Sequence, residues 1–272
     1  GNNMLQTSKV KQKLKNGEIV IRAFLRSSDP TSAEIMALAG VDLIVIDNEH
    51  YPFNPQRMET IIRAAETYGA ECMVRVPNTE PARIAQIMDM GAIGVVVPHI
   101  ESREEALAVV NAVKYAPVGH RGFCPITRAA SYGMAMSGDE YTRLANEQTC
   151  IILMTETKKG LEALDDILAI PEVDGISIGP SDVSASYGLP GQPDHPVVKA
   201  AIEEGQRKVA VSGKALVAQA YTPEAAERMH ARGATVMTVG SDVQMIRWRL
   251  DAMMHDIRAL ERECFGGEGE QA

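Results

Sequence analysis

The chain contains no apolar run near ~18 residues, the length a membrane-spanning helix needs, so no such span is expected. Its opening stretch, GNNMLQTSKVKQKL, lacks the apolar core of a secretory signal. Cysteine is scarce: Cys72, Cys124, Cys150 and Cys264 lack the paired spacing of a zinc ribbon or a disulfide framework. We read them as reduced thiols in a cytoplasmic protein. Positive charge is also in deficit, with 27 Lys and Arg against 36 Asp and Glu and a net charge of −9. That balance argues against nucleic acid and anionic membranes as partners. Aromatic residues make up only 4% of the chain, which leaves the core to aliphatic side chains. There is no phosphate-cradling P-loop and no GxGxxG, which removes the nucleotide and dinucleotide readings.

What is present is a regular alternation. Short β-branched apolar runs lie at Val20–Leu25, Leu43–Asp47, Cys72–Val76, Gly94–Pro98, Ile151–Thr155, Gly175–Gly179, Ala215–Tyr221 and Thr235–Gly240. Between them, helices are predicted up to Ala39 and over Pro55–Tyr68, Pro81–Met90, Arg103–Tyr115, Leu161–Ile170, Pro196–Ser212, Pro223–Arg232 and Asp242–Glu263. At 272 residues and 45% hydrophobic content, this pattern predicts a single-domain (β/α)8 TIM barrel with right-handed crossovers. The barrel domain is expected over residues 10–263, after a disordered or expression-derived lead (1–9) and before a flexible tail (264–272). The segment Ala116–Asn146 is long for a loop inside a compact domain and reads as functional, with one helix near Asp139–Asn146. In the last helix, Val243, Ile246, Leu250, Met253, Ile257 and Leu260 form an apolar stripe, widened by Met245 and Trp248. Such a face suits either a subunit contact or core packing.

A barrel of this kind carries its chemistry at the carboxyl ends of the strands. The polar residues expected there are Asp47, Glu49, His50, Arg75, His99, Glu156, Ser181 and Asp182. Glu156 and Asp182 each follow an apolar run directly. Two carboxylates at matching positions either cap helices or hold a hard divalent cation, Mg²⁺ or Mn²⁺, with Co²⁺ or Zn²⁺ also admissible. His99 is a further ligand or a hydrogen-bonded structural histidine. Arg75 ends an apolar strand, where a guanidinium needs an anion: a bridge to Glu156 or Asp47, or a developing oxyanion. Asp47 and His50, three residues apart, suit a shared hydrogen bond and proton transfer near neutral pH, or simply a polar loop. The backbone around Ser181 and Asp182 offers N–H groups to a carboxylate.

The ordered series DNEH, RVP, MDMGAIGVVVPHIES, KYAPVGHRGF, TET and DGISIGPSDVSASYG resembles the HpcH/HpaI family of class II, metal-dependent pyruvate aldolases, in the phosphoenolpyruvate/pyruvate barrel superfamily. The resemblance runs over about residues 10–260. It implies Glu156 and Asp182 as metal ligands, Arg75 as the enolate-stabilising arginine, and His50 with Asp47 in proton transfer. It further implies Asp89 near the aldehyde side of the site, and a hexamer with helices exchanged between subunits. Arg121 falls in a matching GxRG motif whose role stays open. The family often has glutamine where this chain has Met154, two positions before Glu156, and many members have glycine where it has Asn48. Met154 therefore bears on how the 2-oxo acid is held.

The expected reaction is reversible cleavage of a 4-hydroxy-2-oxo acid to pyruvate and an aldehyde. A CoA-thioester lyase of the citrate- or malyl-CoA-cleaving type is the nearest alternative, set against by the lack of a basic cluster for the CoA tail. A non-catalytic barrel binding a small acid is the third reading.

Overall fold

The computed structural model describes residues 7–265. Eight strands are formed: β1 (Val20–Leu25), β2 (Leu43–Asp47), β3 (Glu71–Arg75), β4 (Gly94–Val97), β5 (Cys150–Thr155), β6 (Gly175–Ile178), β7 (Ala215–Gln219) and β8 (Ala234–Ser241). They pair in parallel and in chain order, and β8 closes on β1. The helices are α1 (Lys9–Asn16), α2 (Pro30–Leu38), α3 (Pro55–Thr67), α4 (Pro81–Asp89), α5 (Arg103–Val113) and α6 (Gly138–Gln148). They continue as α7 (Lys158–Glu162), α8 (Leu164–Leu168), α9 (Pro180–Ser186), α10 (Pro196–Val211), α11 (Pro223–Ala231) and α12 (Asp242–Phe265). The expected (β/α)8 barrel is the fold that forms. Among the described residues, no helix is long and apolar enough to cross a membrane.

Period-two alternation sorts each strand between two cores. On β2, Ile44 and Ile46 join the shell between strands and helices, whereas Leu43 and Val45 face the barrel interior. That interior continues with Val20, Met73, Val96, Ile152, Val217 and Val236. Each such burial contributes about 1.5–3 kcal/mol. The strand stagger leaves no space at Gly94, where a Cβ would meet the Cys150 carbonyl oxygen at 1.9 Å.

Three sequence expectations are corrected. The lead is not unstructured up to residue 9: Ser8 caps α1 by accepting the Lys11 N–H, and Gly17 ends the helix at φ 67°. Lys11 then closes the barrel floor, donating to Thr149 O at 3.0 Å and to Asp174 Oδ1 at 2.5 Å. The tail expectation starts too early, since Cys264 and Phe265 still belong to α12; residues 1–6 and 266–272 lie outside the described residues. The helix expected over Leu161–Ile170 is two short helices, α7 and α8, separated by a turn at Ala163 (ψ 0°).

The long segment after α5 packs at the end where the strands begin. Its backbone bonds to Asn111 and Lys114 near the end of α5 and to Asp89 at the end of α4. Ser137 and Glu140 then form a reciprocal capping box at the start of α6.

Candidate functional site

The carboxyl ends of β2 to β6 form a polar rim. Asp47 and Arg75 are register partners on β2 and β3. Arg75 donates from Nε to Asp47 Oδ1 at 3.0 Å and from Nη2 to Oδ2 at 2.7 Å. Arg26, just past β1, donates to the same Oδ2 at 3.1 Å. Asp47 is fully buried. Burial alone would raise its carboxyl, but the guanidinium groups of Arg75 and Arg26 hold it below the usual carboxylate range.

The expected Asp47–His50 pair is replaced by this one. Both Asp47 oxygens are taken by arginines, and the exposed His50 ring turns to Glu49, with Nε2 3.4 Å from Oε2. The reason is register: neighbouring strands bring Arg75 level with Asp47, whereas the turn after Asp47 carries His50 outward. Glu49 becomes a hub, 3.2 Å from Arg75 Nη1 and 3.3 Å from His99 Nε2.

His99 follows β4 with a left-handed backbone (φ 56°), an uncommon conformation for a residue with a side chain. That bend aims its backbone N–H at Glu156 Oε1, 3.1 Å away. Glu156 is 4% exposed. Burial pushes its carboxyl up to about 7, the His99 N–H opposes that, and the Asp182 carboxylate adds to it.

Asp182 sits in the first turn of α9, which begins with Pro180 at its amino end. Glu156 and Asp182 converge on Gly179: a Cβ there would lie 2.8 Å from Glu156 Oε2 and 3.5 Å from Asp182 Oδ2. A side chain at that position would fill the space both carboxylates face. Among the described residues, no cluster of three or more His, Cys, Asp or Glu is gathered for a metal. A pair of carboxylates with open positions nevertheless fits a hard cation that keeps several waters, the habit of Mg²⁺ and Mn²⁺. Ser181 shares the first turn of α9. Met154 faces the barrel interior in register with Ser177 and is buried.

Asp89 is not brought to this rim within one chain. As the last residue of α4 it lies at the opposite end of the barrel, paired with the buried Arg121, whose guanidinium stacks 4.5 Å from the Tyr115 ring. The long segment, expected to be functional, packs at this floor rather than at the rim.

Sequence reasoning passed over Arg26 and gave Glu49 no role. Arg26 stands just past its strand, the same signal that singled out Glu156. Glu49 was expected on the rim, but its partners Arg75 and His99 come from the ends of β3 and β4, which local spacing does not reveal.

The chain matches the family described as HpcH/HpaI aldolase/citrate lyase over residues 21–247. It is 34% identical over 260 residues to a 2-keto-3-deoxy-L-rhamnonate aldolase of Salmonella gallinarum, covering 95% of this chain and 96% of that protein. Among solved structures it resembles an HpcH/HpaI aldolase/citrate lyase family protein from Burkholderia cenocepacia J2315 at TM-score 0.86 and 30% identity, covering 93% of this chain and 100% of that one. It also resembles the citrate synthase SbnG at TM-score 0.83 and 30% identity, covering 92% and 97%. The chain belongs to the HpcH/HpaI aldolase/citrate lyase family and is a class II aldolase, a carbon–carbon lyase.

Proposed function

We propose that the chain cleaves 4-hydroxy-2-oxo acids reversibly to pyruvate and an aldehyde, using a divalent cation, Mg²⁺ or Mn²⁺, held by Glu156 and Asp182. The observation that carries this reading is the convergence of two carboxylates on Gly179, on the rim that also holds the Arg75 guanidinium. The bound cation would supply Lewis acidity to the 2-oxo group.

The remaining work falls to side chains. Arg75, held on two edges by Asp47 and Glu49, faces the charge that develops on the enolate oxygen as the C3–C4 bond breaks. His50, exposed beside Glu49, takes the 4-hydroxyl proton through water in cleavage and returns it in addition. The first-turn N–H groups of Ser181 and Asp182 hold the pyruvate carboxylate. Met154 offers that acid an apolar wall where an amide would bond it, which suits the class of 4-hydroxy-2-oxo acids rather than one named sugar acid.

Two finer readings join this one. The apolar stripe of α12 lies uncovered, with Ile246, Leu250 and Ile257 all more than half exposed, which suits an oligomer in which another copy covers it. Buried free thiols at Cys72 and Cys150 suit a reducing cytoplasmic setting.

The test is aldol cleavage and addition assayed after EDTA treatment and after repletion with Mn²⁺ or Mg²⁺. Activity should vanish in chelator and return with the ion; full activity in chelator would falsify the reading. Enolisation, read as exchange of pyruvate methyl protons in deuterated water, separates an aldolase from a barrel that merely binds small acids.

A further inference from the structure

The last strand reaches the rim with one residue more than its neighbour. Thr238 pairs with Arg22 and Ser241 with Phe24, so β8 carries a bulge opposite the end of β1. A bulge bends its strand and re-aims the residues that follow. Gly240 supplies the bend at φ 129°, a conformation open to glycine, and the Trp248 ring of α12 packs 3.2 Å from where a Cβ would stand. Trp248 also lies against Tyr221, just past β7, with ring centroids 5.4 Å apart. Beyond the bulge, Asp242 opens α12 and is 6% exposed. Its carboxylate grips the loop after β1. Oδ1 accepts the Arg26 N–H at 2.9 Å, Oδ2 accepts the Ser27 N–H at 2.9 Å, and the Ser27 hydroxyl donates to Oδ2 as well.

The loop held in this way carries Arg26, whose side chain runs back to the site. Arg26 Nε donates to Asp47 Oδ2 at 3.1 Å, the oxygen that also takes Arg75 Nη2 at 2.7 Å. Arg26 Nη1 donates to Ser241 Oγ at 3.5 Å, on the residue before Asp242. The Arg26 side chain is 23% exposed, against 0% for Asp47 and 9% for Arg75, so it is the member of the trio that water can draw away. A long side chain at a surface keeps one geometry only where its backbone and its tip are both held.

We propose that Asp242 is a positioning residue for the aldol chemistry. By clamping the backbone at Arg26 and Ser27 it keeps Arg26 on Asp47, and through Asp47 it fixes the plane in which Arg75 meets the enolate. The proposal rests on the aldolase reading, in which Arg75 faces the enolate oxygen. Asp242 touches neither substrate nor cation; it acts through two hydrogen-bonded neighbours. The root of α12 thereby belongs to the frame of the site.

The experiment compares the Mn²⁺-loaded parent with Asp242→Asn, Arg26→Met and the double variant. Asparagine keeps the shape and one acceptor oxygen but turns an NH₂ group toward one of the two loop N–H groups. Exchange of pyruvate methyl protons in deuterated water is followed by nuclear magnetic resonance, and Mn²⁺ affinity by electron paramagnetic resonance. Asp242→Asn should lower kcat for exchange about tenfold or more, the scale on which supporting contacts act. KM for pyruvate and Mn²⁺ affinity should not change. A lower melting temperature with unaltered kcat would mark Asp242 as structural only and overturn the proposal. So would a fall in Mn²⁺ affinity that matches the fall in rate. The double variant should be no slower than Arg26→Met alone, because one route is then cut twice. Losses that multiply would place the action of Asp242 elsewhere and overturn the clamp.

Ser27→Ala removes a single bond to Asp242 and keeps the test open if Asp242→Asn does not fold. It should slow exchange about threefold, the scale of one hydrogen bond, and unchanged exchange would overturn the clamp. A parent that shows no exchange would count against the aldolase reading, and the crystal structure of Asp242→Asn then decides the clamp by itself. Arg26 Nε should lie beyond hydrogen-bond reach of Asp47; an Arg26 still seated there overturns the proposal.

Discussion

Asp47 and Arg75 stand level on neighbouring strands, and the carboxylate grips the guanidinium through two hydrogen bonds of 3.0 and 2.7 Å. The grip fixes the plane of the guanidinium on a rigid strand end and leaves its Nη1 edge to Glu49. A cation placed this way needs no rearrangement when charge develops in front of it.

Asp47→Asn leaves the Arg75 and Arg26 guanidinium groups without their shared counter-charge. A loss of about 3–5 kcal/mol in urea unfolding is expected, the scale for breaking a buried ion pair from one side. The parent should also be acid-labile in a defined sense. A carboxyl held low in the fold adds stability that is present above its ordinary range and lost as pH falls through its folded value. Asp47→Asn should lack that acid limb, which urea midpoints measured from neutral to about pH 3 would reveal.

Gly179→Ala would put a Cβ 2.8 Å from Glu156 Oε2. Manganese affinity, read by electron paramagnetic resonance, should fall about tenfold or more, with far-ultraviolet circular dichroism unchanged. Undiminished affinity would mean that Glu156 and Asp182 do not share one ion.

Glu156 gives the opposite pH sign to Asp47. Its folded value is raised to about 7 by burial, with Asp182 adding and the His99 N–H opposing. The metal-free fold therefore holds a proton that the unfolded chain has released, and its stability falls as pH rises from the ordinary carboxylate range through about 7. Glu156→Gln should flatten that slope and raise the melting temperature in chelator above neutral pH, while abolishing metal uptake. Melting curves across pH, with and without Mn²⁺, check both halves.

On α12, the double substitution Ile246→Glu and Leu250→Glu places two charges on the uncovered stripe. Where α12 carries the proposed contact between copies, sedimentation velocity should show a larger species in the parent and single chains in the variant, with unfolding of the barrel little changed. An unaltered sedimentation coefficient would remove α12 from the interface.

The barrel was legible because its runs are short, β-branched and evenly spaced, and Leu43–Asp47 already shows the alternation that turns Asp47 inward. The rim carboxylates were legible for the same reason, each standing directly past its strand. Pairings across strands were not. Asp47 meets Arg75 rather than His50 because interstrand register is set by the closed ring, which local spacing does not encode. Asp242 follows the last apolar run, but its hold on Arg26 depends on how β8 pairs with β1. Asp89 stands at the floor of its own chain because helix direction puts the end of α4 there, whatever motif surrounds it.

The uncovered stripe on α12 also bears on how the protein should be handled in the cold. A contact made of isoleucine, leucine and methionine is driven by release of ordered water near room temperature and weakens on cooling. If copies meet through α12 as proposed, dilute protein kept on ice should dissociate, and reassociate on warming or on addition of sulfate, whose exclusion from protein surfaces strengthens apolar burial.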